Sequence, residues 1–100
     1  MVIDFQSTNF KADQKLLSFI SEKLQKMDRL YSRAVNATVY LKVNKASDKQ
    51  NKTVEIKVNL PETQLFVIEH DRSFEAATDR AMEALKNQLA KMKARLSTTS

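Results

Sequence analysis

Val35-Asn36-Ala37-Thr38-Val39-Tyr40-Leu41-Lys42-Val43-Asn44 is the stretch that decides the fold. Val35, Ala37, Val39, Leu41 and Val43 alternate without a break against Asn36, Thr38, Tyr40, Lys42 and Asn44, so a strand here has one dry face and one wet face. Such a strand belongs to a sheet covered on one side only. Thr53 to Leu60 repeats the pattern, with Val54, Ile56, Val58 and Leu60 against Glu55, Lys57 and Asn59. Between the two, Asn44 to Lys52 holds no strongly apolar residue and carries Lys45, Lys49 and Lys52, the composition of an exposed hairpin loop. Leu60-Pro61-Glu62-Thr63 makes the following turn. Leu65 to Ile68 is apolar on both sides, so alternation leaves its inward face open: it is either a more covered strand or one whose outer face touches a partner.

On the N-terminal side, Val2 to Ser7 sets Ile3 and Phe5 against Asp4 and Gln6, a short half-buried strand, and Thr8 to Ala12 connects it onward. Asp13 is placed to cap a helix running to Leu30, with Leu16, Leu17, Ile20, Leu24, Met27 and Tyr31 at helical spacing. On the C-terminal side, Ser73 is placed to cap a helix running to Leu96. Its stripe is Phe74, Ala77, Ala81, Leu85, Leu89, Met92 and Leu96. Because the middle strands are dry on one side only, both helices are expected on the same side of one sheet. The predicted class is α+β: a single β-α-β-β-β-α domain over residues 1–96, with a four-stranded sheet, two helices packed on one face, and 97–100 a short disordered tail. The last three strands should form an antiparallel meander. The first two should run parallel through a right-handed crossover made by the first helix.

The 100-residue chain contains no glycine and no cysteine. Without glycine, phosphate-cradling loops, dinucleotide fingerprints and nucleophile elbows cannot be built, since each needs positive φ or very close backbone approach. Without cysteine there are no disulfides or thiolate metal sites, and a single His is too little for a metal centre. No cofactor is expected. His70 and Asp71 are adjacent on a predicted strand and so point to opposite faces, which rules them out as a catalytic dyad. No apolar run reaches the roughly 18 to 20 residues of a membrane span, and the expected location is cytoplasmic.

The charge is more informative. Seventeen Lys and Arg against 12 Asp and Glu give a formal net charge of +5, which suits a polyanionic partner. Lys86, Lys91, Lys93 and Arg95 end the last helix with no Asp or Glu after Glu83, and cations there are also favoured by the helix dipole. On the first helix Lys23, Lys26 and Arg29 project off the apolar stripe, mixed with Glu22 and Asp28. If the helices lie side by side, Lys23 and Lys26 can approach Lys91 and Arg95, making one positive surface from two half-patches.

Several segments in this order resemble the ribosome hibernation promoting factors and their relative, the ribosome-associated inhibitor. They are Asn9-Phe10, Glu22-Lys23-Leu24-Gln25-Lys26-Met27, Val39-Tyr40-Leu41-Lys42-Val43, Phe74-Glu75-Ala76-Ala77-Thr78-Asp79, and a Lys/Arg-rich end around Gln88-Leu89. The resemblance implies a non-enzymatic stress-phase inhibitor of translation that binds the small ribosomal subunit and its ribosomal RNA and occupies the channel of messenger and transfer RNA. It is expected to be monomeric when free. The matching RNA-binding positions are Lys23, Lys26, Lys91, Lys93 and Arg95. Ala84 and Asn87 stand where that family usually carries Lys or Arg, and Lys86 and Arg80 are the cations nearby that could compensate; Arg29 joins the same candidate set. With four residues after Leu96, the chain is similar to the short form of the family. The competing reading is a basic protein-interaction module, pairing through an exposed sheet edge, for which the charge is incidental.

Overall fold

The alternating stretches become neighbours in one sheet. A computed structural model describes residues 1–31, 34–44 and 51–98. In chain order its elements are β1 (Val2–Thr8), α1 (Gln14–Tyr31), β2 (Asn36–Val43), β3 (Lys52–Asn59), β4 (Gln64–Asp71) and α2 (Phe74–Thr98). The four strands lie in the order β1-β2-β3-β4. β1 is parallel to β2, while β2, β3 and β4 form an antiparallel meander. This is the α+β arrangement that the sequence predicts.

Local chemistry explains where the elements start and stop. The backbone N–H of Leu16 donates to Asp13 Oδ1 at 2.8 Å, and that of Ala76 donates to Ser73 Oγ at 3.1 Å, so both predicted caps are made. With no glycine available, Asn9 takes the left-handed turn after β1 at φ 71°, and its side-chain amide donates to the Val43 carbonyl at 3.2 Å. Around Pro61 the turn closes through Leu60 N–H to the Thr63 carbonyl at 2.8 Å. α2 continues to Thr98, past the expected end at Leu96 and into the expected tail. The predicted loop with Lys45 and Lys49 lies outside the described residues.

The dry face of the sheet, built from Ala37, Val39, Leu41, Val54, Ile56 and Val58, is covered by Leu16, Ile20, Leu24 and Met27 of α1 and by Phe74, Ala77, Ala81, Leu85 and Leu89 of α2. The open question in β4 is answered by register. Val58 faces Leu65 and Ile56 faces Val67, so Leu65 and Val67 are buried with the dry face and Phe66 and Ile68 are exposed on the other. Thr78 and Met82 extend the buried stripe of α2 sideways, beyond the predicted one. The Thr78 hydroxyl is satisfied by the Phe74 carbonyl at 2.7 Å, which makes its burial inexpensive.

Topology also fixes how the helices lie. Each returns from the end of an upward strand, α1 from β1 and α2 from β4, so the two run in the same direction. Phe10, just before α1, stacks on Phe74 at the start of α2 with centroids 4.7 Å apart.

Candidate nucleic-acid interface

Because the helices run in the same direction from similar starting points, Lys23 on α1 comes opposite Asp79 on α2, three turns below the basic end. Further along, Lys26, Met27 and Leu30 line one side of a groove of about 390 Å³, with Met82, Glu83 and Lys86 on the other. α1 ends at Tyr31, whereas α2 runs on through Thr98. The 12 residues of α2 beyond Lys86 extend about 18 Å past the end of α1 at 1.5 Å per residue, still packed along β4 through Leu89, Met92 and Gln88.

This arrangement changes the expected surface. Lys23 and Lys26 meet Lys86 across the groove rather than Lys91 and Arg95. The latter two lie on the opposite flank of α2, lining a depression of about 230 Å³ with Thr63, Leu65, Gln88 and Met92. Lys93 follows Lys86 by seven residues, close to two full turns, and so prolongs the groove-side row beyond the end of α1. The candidate cations therefore form a groove cluster and a projecting end that carries charge on two flanks.

The groove cluster is partly neutralised. Lys23 Nζ sits 3.1 Å from Asp79 Oδ1 and 5.0 Å from the centroid of the Phe19 ring, held by a carboxylate and an aromatic face together. Glu83 adds a second acid to the same groove. Arg80 is turned elsewhere: its guanidinium lies 3.2 Å from Glu69 and 3.7 Å from Asp71, tying α2 to β4. It lines a separate depression with Glu69, Asp79, Glu83, Ala84 and Asn87, so the cation nearest Ala84 and Asn87 is one already flanked by carboxylates. Arg29 lies on the outer flank of α1 with Ser21, Glu22, Gln25 and Lys26. Asp79 and Glu83 are the site residues that sequence reading missed. Their four-residue spacing put them on one face, but which face meets α1 follows only from the parallel direction of the helices.

On the opposite side of the sheet, His70 Nδ1 is 2.8 Å from Thr53 Oγ1, while Asp71 faces Arg80, so the two do not form a dyad. Among the described residues no cluster of His, Cys, Asp and Glu could hold a metal ion, and no helix is long and apolar enough to cross a membrane.

Residues 3–97 match the model of the family described as sigma 54 modulation protein / S30EA ribosomal protein. The chain belongs to the S30EA family. A curated relative, the ribosome hibernation promotion factor of Deinococcus radiodurans, is 27% identical over 95 residues, covering 94% of this chain and 50% of the relative. The chain thus spans about half the length of that relative. Among solved structures, the N-terminal domain of Protein Y from Thermus thermophilus superposes with a TM-score of 0.78 at 28% identity, covering 92% of this chain and 99% of that one. A ribosomal subunit interface protein from Coxiella burnetii gives 0.83 at 21% identity, with 94% and 99% covered, and shares the fold. S30EA membership agrees with the resemblance read from the sequence.

Proposed function

We propose that this chain is a ribosome-binding hibernation factor that docks its helical face on the ribosomal RNA of the small subunit and silences translation by occupying the messenger and transfer RNA channel. The observation that carries this reading is the layout of α2. Its first turns are held by the sheet and α1, and its last turns run on past the end of α1 along β4, with Lys91, Lys93 and Arg95 exposed. Membership of the S30EA family and a curated relative named for ribosome hibernation support a ribosomal partner.

No catalytic group is needed. Cations that replace condensed counterions along phosphates supply affinity, and a rigid surface recognises folded RNA by shape. Lys26 and Lys86 are assigned the groove-side phosphate contacts, with Lys23 contributing less because Asp79 already occupies it. Arg80 is assigned a structural role against Glu69 and Asp71. The protein acts in the cytoplasm, where its partner is.

Co-sedimentation with isolated small subunits over a salt series tests the reading. Binding should weaken steeply as salt rises, and addition of messenger and initiator transfer RNA should displace the protein. Binding that ignores salt, or that coexists with a filled channel, would reject it.

A further inference from the structure

The face of the sheet away from the helices is the largest part of the molecule that the proposed RNA contact leaves unused. Phe66 is 48% exposed there and Ile68 is 43% exposed, both from the centre of β4. Large apolar side chains displayed side by side on a sheet face mark a contact surface more often than isolated ones do. Its charges are balanced, Asp4 and Glu55 against Lys42 and Lys57, so this face lacks the net positive charge that a polyanion calls for.

The register shows what would fit it. Two adjacent outward-facing rows cross the sheet, Asp4–Thr38–Lys57–Phe66 and Gln6–Tyr40–Glu55–Ile68. Neither Glu55 nor Lys57 is in an ion pair among the described residues. Consider two such faces packed together about a twofold axis that lies between them, perpendicular to the strands and midway between the rows. That operation exchanges one row for the other. Lys57 then meets Glu55 of the partner subunit, Glu55 meets the partner's Lys57, and Phe66 packs on the partner's Ile68. The surface is complementary to itself in charge and in apolar content, as an isologous contact requires.

We infer that the open sheet face pairs with the same face of a second copy of this chain. Four strands spaced about 4.8 Å apart and seven or eight residues long at about 3.3 Å each present roughly 400 Å² per partner, about half of what a stable interface uses. The pair is therefore weak, and a dilute sample is monomeric. Both helical layers point outward from the pair, so self-association and binding at the helices do not compete.

Sedimentation equilibrium of the whole chain up to about 1 mM tests this. The wild-type protein should shift toward dimer. Glu55→Lys and Lys57→Glu should each weaken self-association at least about tenfold, since each places like charges opposite one another twice. An equimolar mixture of the two variants should regain it, because every contact is then complementary, and that recovery also shows both variants are folded. An RNA oligomer added to the wild type should leave the dimer intact. Wild-type protein that stays monomeric at the top concentration overturns the inference, as do variants that associate like wild type or a mixture that fails to recover. Association that appears only on adding the oligomer would assign the face to stacked bases and also overturn it.

Discussion

The two halves of α2 do different work with the same backbone. From Phe74 to Leu85 the helix buries Phe74, Ala77, Thr78, Ala81, Met82 and Leu85, capped by Ser73 and flanked by Glu75, Asp79 and Glu83. From Lys86 onward, Leu89 is the one fully buried side chain among the described residues, Met92 is half-buried, and the charges are all cationic. The first half is held by the sheet and α1 together, and the second is held along β4 by Leu89 and Met92 while Lys91, Lys93 and Arg95 are exposed. Under the proposed function stiffness matters, since a surface already ordered loses less entropy on binding.

That division can be broken most forcefully in its first half. Leu85→Ala removes a side chain with no exposed surface from between the sheet and α1, and should cost about 2–5 kcal/mol, read as a lowered midpoint in urea. Ribosome binding per folded molecule should be unchanged. The complementary experiment replaces Lys91, Lys93 and Arg95 with Gln. Urea stability should move by less than about 0.5 kcal/mol, as for other surface changes, while affinity for small subunits near physiological salt falls at least about tenfold. A large loss of stability would show that the projecting end is part of the core after all.

Smaller effects sharpen the boundary. Ser73→Ala removes the acceptor for the Ala76 N–H and should destabilise by about 1 kcal/mol in the same urea titration, without touching the binding surface. Asp79→Asn releases Lys23 from its 3.1 Å partner. A few-fold gain in small-subunit affinity is expected, with stability changed by less than about 1 kcal/mol because the pair is exposed. An affinity loss would mean that Asp79 positions Lys23 for RNA rather than competing for it.

The sequence was most legible where causes are local. Asp13 and Ser73 sit within one turn of the groups they cap, and β2 alternates because each residue answers only to the two sides of its own strand. Leu65 to Ile68 was illegible for the opposite reason. With apolar side chains on both sides, its inward face depends on pairing with Val58 and Ile56 of β3. The sideways widening of the α2 stripe to Thr78 and Met82 likewise depends on where α1 lies.

Among the site residues, the cationic end of α2 could be read directly, since it rests on the absence of acids after Glu83. Partnerships could not. Lys23 and Asp79 are 56 positions apart and meet only because both helices run the same way, and Arg80 finds Glu69 and Asp71 only because α2 folds back along β4. The expected junction of Lys23 and Lys26 with Lys91 and Arg95 failed because those two cations lie on the β4 flank of α2, away from the groove that Lys86 lines, and which flank meets α1 is settled only by the packing.

The most direct test of the central claim is the slope of log affinity against log salt for small-subunit binding, measured for wild type and for the Lys91, Lys93 and Arg95 to Gln variant. If the projecting end of α2 lies on ribosomal RNA, the variant's slope should be shallower by about two to three, close to one for each phosphate contact removed. Equal slopes for the two proteins would contradict the account, since the ribosome would then be held by some other part of the molecule.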